Sequence, residues 1–241
     1  MPLCRRALRL RPFACLGLAL ALAACGYLLP SHNQTFAPAK LPAGAYRLDP
    51  EHASLLVKLD HFGFSELVGR FVRFEGSLDF DPKQPEAAHL TVLMDPASID
   101  FNLPKFEQDL RGPDWFDVSR FPEARFDSRS IAITGEKTGR VTGDLTLHGV
   151  TAPVTLDVTF NGGADSLLTG RYTLGFAASG TLVRSTFGLG AYAPAVGDQV
   201  TLEIHAEFQR TGTGSAAIDP GRPPLPAERR EGMIAGLAGD R

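Results

Sequence analysis

Five stretches of the chain alternate apolar and polar residues with a period of two. Val72, Phe74, Leu78 and Phe80 fall on one face, with Arg73, Glu75 and Asp79 on the other. Leu90, Val92 and Met94 repeat the pattern, as do Val141, Leu145 and Leu147. So do Val154, Leu156, Val158 and Phe160, and then Val200, Leu202, Ile204, Ala206 and Phe208. Successive side chains of a strand point to opposite faces, so this pattern specifies strands with one dry face and one wet face, the signature of antiparallel sheet. Further strands are expected near 53–62, 125–133 and 168–179, about eight in total. Gly 25 and Pro 18 supply turns, such as Asn161-Gly162-Gly163.

One segment departs from the period. Phe106, Leu110 and the pair Trp115-Phe116, between Pro104 and Pro122, predict a short helix at 104–111 within an irregular stretch, 104–121, suited to a lid. That is too little helix for parallel βαβ units. The expected fold class is all-β: an eight-stranded antiparallel barrel, which leaves no exposed edges. Such a barrel either just fills with side chains or holds one small ligand, and periodicity alone leaves both open. The aromatics, Phe 16 against Tyr 4 and Trp 1, indicate an interior with few polar tips to satisfy.

The N-terminus reads as an address. Arg5, Arg6, Arg9 and Arg11 precede an apolar run from Phe13 to Ala24, a secretory signal too short to span a bilayer comfortably. The sequence Leu22-Ala23-Ala24-Cys25-Gly26 resembles the bacterial lipoprotein lipobox, which implies cleavage before Cys25 and lipidation, palmitate included, of that now N-terminal Cys. An ordinary signal peptide ending at a chance Cys is the alternative. Gly26 in place of Asp implies by the same resemblance an outer-membrane lipoprotein facing the periplasm. The organisation expected is then signal 1–24, lipidated Cys25 and tether 25–45, barrel 46–210 and a disordered tail 211–241. Cleavage removes four of the 24 basic residues and none of the 27 acids, leaving a net charge of -7. That balance argues against nucleic acid as a partner, and makes the Cys25 anchor the attachment to membrane. The oligomeric state stays open, a dimer included.

Motifs for catalysis are missing: no Gly-x-Ser-x-Gly elbow, no His-Glu-x-x-His, no Cys-x-x-Cys and no phosphate loop. The six His are scattered without metal-ligand spacing. The expectation is no enzyme, no metal and no cofactor.

Four ordered blocks span the domain and together resemble the YceI family. They are Tyr46-Arg47-Leu48-Asp49 with His52, His61, Gly63 and Gly69-Arg70-Phe71; Trp115-Phe116-Asp117-Val118 with Phe121-Pro122 and Phe126; Gly143 to Val150; and Arg184-Ser185-Thr186-Phe187-Gly188. The resemblance implies a lipocalin-like barrel with a long apolar cavity for a polyisoprenoid, an isoprenoid quinone or a similar long-chain amphiphile. It implies Val57, Phe74, Phe101, Leu110, Trp115, Phe126, Phe176 and Phe208 as lining. Arg184 is either a headgroup partner at the barrel mouth or an exposed loop residue, and His61 either a donor to ligand or a histidine satisfied by backbone. His148, before Gly149 at a hairpin turn, has a conformational role. Ala53 inserted between His52 and Ser54, and Thr186 where relatives often have Asp, depart from the family; the second bears on headgroup identity. The competing functions are a structural or stress-related envelope interaction protein with a filled core, and a lipid-modifying enzyme.

Overall fold

The computed structural model describes residues 34–167 and 169–212. The expected signal, the Cys25 lipobox and the tail from 213 onward lie outside the described residues. Eleven strands make one antiparallel sheet. They are β1 (Gly44–Leu48), β2 (Ser54–His61), β3 (Ser65–Phe71), β4 (Phe74–Phe80), β5 (His89–Met94), β6 (Ile99–Asp100), β7 (Ala124–Ile133), β8 (Thr138–Leu147), β9 (Val150–Asp165), β10 (Tyr172–Val183) and β11 (Gln199–Gly212). One helix, α1 (Pro104–Leu110), sits where the sequence predicts it. Strand β1 pairs with both β4 and β11, which closes the sheet. Strands β1 and β2, β3 and β4, and β5 and β6 each form one interrupted stave, so the wall is an eight-stranded up-and-down barrel.

The three interruptions lie side by side, and two share one sequence device. Asp49-Pro50 and Asp95-Pro96 each open a one-turn 3-10 helix, Pro50–His52 and Pro96–Ser98. In each, the Asp side chain caps an amide two residues on, Glu51 at 3.1 Å and Ala97 at 2.7 Å. Proline fixes φ and removes an amide hydrogen, so the ladder stops there and the Asp carboxylate replaces it. Asp49 also accepts from His52 at 2.8 Å and Gln209 at 2.6 Å. Asp95 receives the Arg73 guanidinium, while the Arg73 amide donates to Ser98 Oγ at 3.1 Å. Val72 therefore falls in a break, and its stave resumes at Phe74.

Elsewhere the register bends instead of breaking. A shift in β7 between Ser128 and Ser130 reverses its parity, so Ala124 and Phe126 above it and Ile131 and Ile133 below it all reach the interior. Asn161-Gly162-Gly163, expected as a turn, lies inside β9; the expected strand at 168–179 is Tyr172–Val183. Gly162 has φ 106°, and a Cβ there would sit 2.9 Å from the Gln34 Cβ and 3.2 Å from the Phe36 ring. The glycine bulge makes room for the chain before the barrel. Thr35 and Gly163 exchange main-chain hydrogen bonds of 2.8 and 2.9 Å, Phe36 meets Phe160 edge-on at 5.9 Å, and Leu41 is buried. Residues 34–43, expected within a tether, are thus a strap across the lower end of the barrel, beside the β7–β8 hairpin. The upper end carries the β2–β3 turn, α1, the β8–β9 hairpin and residues 184–198. Among the described residues no helix is long and apolar enough to cross a membrane.

Candidate functional site

Inward positions on every stave carry hydrocarbon, and they do not meet in the middle. A cavity of about 510 Å³ runs between the two ends. Val57, Phe74, Phe101, Leu110, Trp115, Phe126, Phe176 and Phe208 all line it. So do residues the sequence reading passed over: Phe36 and Leu41 of the strap, Phe106 and Phe116 of the lid, and Leu189 and Val196 of the upper loop. The strap gave no signal because its apolar residues lack periodicity; an isolated Phe and Leu within a Pro-rich run were the only cue. The filled core of the alternative reading is not what these residues build.

The lid closes a gap in the wall. Pairing of β5 with β7 ends at Met94 and Ala124, and β6 pairs only with β3. Residues 101–123 fill the space above. Helix α1 begins at Pro104, whose ring suits the first turn, and the Glu107 carboxylate reaches back to the amides of Phe101 and Leu103 at 3.0 Å each. Arg111 donates to the Ala97 carbonyl at 2.8 Å, tying the helix to the row of strand breaks. Phe101, Phe106, Trp115 and Tyr192 then form a chain of rings, with centroids 5.5, 6.4 and 6.0 Å apart. Phe101 lies directly on the backbone of Gly69, where a Cβ would come within 2.5 Å of its ring.

His61 is not among the lining residues. Its parity is inward, but it stands at the top of β2, bridged to Val196 and edge-on to Phe62 at 4.7 Å. Arg184 is neither an exposed loop residue nor a free arm at the mouth. It is 5% exposed, and its guanidinium donates to the carbonyls of Gly197 (2.9 Å), Val196 (2.8 Å) and Leu189. Burial pulls its pKa below the ordinary value, against the opposing charge of Asp198. His148 sits at φ 51° in the two-residue turn before Gly149. Its Nδ1 lies 3.0 Å from the Phe187 carbonyl, so it ties the β8–β9 hairpin to the upper loop.

Polar lining among the described residues is confined to Arg125, Glu136, Lys137, Thr138 and Arg184 with adjoining glycines. Arg125 is bound to Asp127 at 2.5 Å, and the hairpin residues Glu136 to Thr138 are exposed at the lower end. Outside the cavity, the fold gathers Asp49, His52 and Glu207, whose ligand atoms lie within 4.8 Å of one another. The Asp49 carboxylate there is engaged by Glu51, His52 and Gln209, which outweigh burial and lower its pKa.

Known proteins share this architecture. The chain resembles the UPF0312 protein of Pseudomonas savastanoi pv. phaseolicola, 37% identical over 193 residues that cover 79% of this chain and 95% of the relative. A UPF0312 protein of Pseudomonas putida is 38% identical, over 74% of this chain and 87% of its own. The crystal structure of Burkholderia cenocepacia BcnA superposes with a TM-score of 0.61 at 26% identity, covering 66% of this chain and 98% of that one. A polyisoprenoid binding domain from Saccharophagus degradans, implicated in plant cell wall breakdown, shares the fold alone, with a TM-score of 0.50 at 13% identity over 70% of this chain and all of its own. A hollow barrel of this kind fits a lipid-binding role. The YceI-like domain family matches residues 46–208, from the first stave to the last, and the chain belongs to it.

Proposed function

We propose that this protein binds one long-chain amphiphile, of polyisoprenoid or quinone-like type, in the barrel cavity. The observation that carries the reading is a continuous hydrocarbon lining from Phe36 to Trp115 around about 510 Å³ of open space. Burying a methylene is worth roughly 0.8 kcal/mol, so about ten of them offset the cost of association and give roughly micromolar affinity without strong headgroup contacts. Binding, storage or carriage needs no more than this. Catalysis on the guest would need an acid and a base converging inside the cavity, and the polar lining offers two clamped guanidiniums, Arg125 and Arg184, with solvent-exposed groups at the lower end. The polyisoprenoid-binding domain of the same fold supports the choice of guest.

The site of action in this reading is the bacterial cell envelope, with the barrel held to the outer membrane by lipid on Cys25. Native mass spectrometry of gently purified protein tests the binding reading: co-purified lipid, or stoichiometric uptake of added polyprenyl lipid, is expected. Bare polypeptide that takes up none would overturn it. Replacing Cys25 by Ser should move the protein from the membrane fraction to the soluble fraction; persistence in the membrane would refute the anchor.

A further inference from the structure

The cavity carries one buried charge that forms no ion pair with a described carboxylate. Arg184 begins the 3-10 turn Arg184–Phe187 at the upper end and lines the cavity there. Three of its five N–H groups go to the carbonyls of Gly197, Val196 and Leu189. It forms no ion pair among the described residues. Asp198, the acid whose charge reaches it, is engaged through both oxygens by Ser185, at 2.9 Å from the amide and 2.6 Å from the hydroxyl. The guanidinium carbon lies 5.9 Å from the centre of the Trp115 ring, which also stacks on Tyr192. Three carbonyls fix the group in place but bring only partial charges. A buried cation in a hydrocarbon environment is strongly attractive to an oxygen anion, because little solvent screens it.

The opposite end offers a weaker competitor. Lys137 stands with its ammonium 3.5 Å from the centre of the Phe36 ring, but it is exposed and Glu136 is its chain neighbour. Water screens that charge, and the acid beside it opposes an incoming anion.

We propose that Arg184 is the subsite for the anionic oxygen end of the amphiphile, a carboxylate or phosphate, so that the guest lies with its head beneath the lid and its tail toward the β7–β8 hairpin. The proposal rests on the lipid-binding reading and adds to it a head chemistry and a direction. The remaining guanidinium N–H groups supply the donors, and Trp115 lines the cavity beside the first methylenes.

Trp115 is the one tryptophan in the chain, so its fluorescence reports the upper end alone. Two palmitates serve as probes, one brominated beside the carboxylate and one at the far end of the tail, with occupancy of each verified by native mass spectrometry. Bromine quenches at contact, so the head-brominated acid should quench Trp115 strongly and the tail-brominated acid weakly. The reverse order, or equal quenching by two bound acids, would overturn the direction while leaving lipid binding intact. Failure of both acids and of polyprenyl lipid to bind would overturn the lipid-binding reading and this inference with it. Palmitate should also bind at least about tenfold more tightly than hexadecylamine, whose ammonium cannot accept from Arg184. Equal affinities would refute the head chemistry. Arg184→Gln should abolish that preference; if the variant does not fold, the two comparisons on the unaltered protein still decide.

Discussion

The two ends of the barrel are closed by different means. At the upper end a helix and two loops meet through a chain of ring contacts, one of them stacked, with a buried guanidinium beneath them. At the lower end a single strap is held by a pair of main-chain bonds between Thr35 and Gly163, with Phe36 as its stopper. Rings slide past one another with little loss of contact, whereas main-chain bonds must break to let anything through. The difference teaches which part should open to a guest: the lid, residues 101–123, which meets the other staves through side chains, while the neighbouring loop 184–198 is pinned to the β2–β3 turn by main-chain bonds.

The largest test of that contrast is Trp115→Ala. Its ring contacts Phe106 and Tyr192, and its loss should cost about 3 kcal/mol, the low end for a large aromatic because the residue is only half buried. Urea unfolding measures the cost, and release of bound lipid should accelerate. Unchanged release would mean that the upper end is not the gate. Gly162→Val probes the other end. A β-branched residue at φ 106° that also collides with Gln34 should cost about 1–3 kcal/mol and expose the strap to protease, with lipid release little altered. Faster release from this variant than from Trp115→Ala would reverse the comparison.

Tyr46 ties the lower end more quietly. Its hydroxyl donates to the Pro42 carbonyl at 2.5 Å, and burial pushes its pKa from 10.0 to about 12. Tyr46→Phe should cost about 1 kcal/mol at neutral pH. Because the folded state raises this pKa, the neutral phenol stabilises it fully below pH 10 and that advantage drains away between pH 10 and 12. The variant should lack this alkaline loss, which stability measured at pH 7 and above pH 10 would reveal.

The smallest effect belongs to the strand break between the ends. The Asp49 hydrogen bond raises the pKa of His52 above 6.5, and the same contact helps hold Asp49 below 3.8. The His52 contribution is therefore full below its ordinary value and fades as pH rises through the raised one. The Asp49 contribution fades as pH falls through the lowered one. His52→Gln should lower the melting temperature most between those limits and least outside them. A difference that does not vary with pH would show the pair to be inert.

The wall was legible because each inward residue faces hydrocarbon and each outward residue faces water, a contrast that repeats every second position. Even there the β7 shift at Ser128–Ser130 and the β9 bulge at Gly162 were hidden, since a bulge leaves the composition intact and changes only the parity. The closures were harder to read. Phe106, Trp115 and Tyr192 come together from separate loops, and the strap is too short to show a period. Arg184 was legible as a polar residue in a loop, but its burial follows from where the carbonyls of residues 189–197 point, which side-chain chemistry does not encode. The Asp-Pro pairs at 49–50 and 95–96 were the cue left unused: each is a turn opener that interrupts a strand pattern.

Those two pairs, with the gap at Val72–Arg73, run as a seam across three neighbouring staves. Above the seam lie β2, β3, β6 and the helix; below it lies the uninterrupted part of the cylinder. Along this line the strands are interrupted, and main-chain bonds from Asp49 to Glu207, Val72 to Ser98 and Asp95 to Arg73 are joined by carboxylates, a hydroxyl, a side-chain amide and one guanidinium. The molecule is in that sense a fixed cup with an exchangeable rim, and alterations in the rim can retune what is admitted while the strand register of the cup stays as it is.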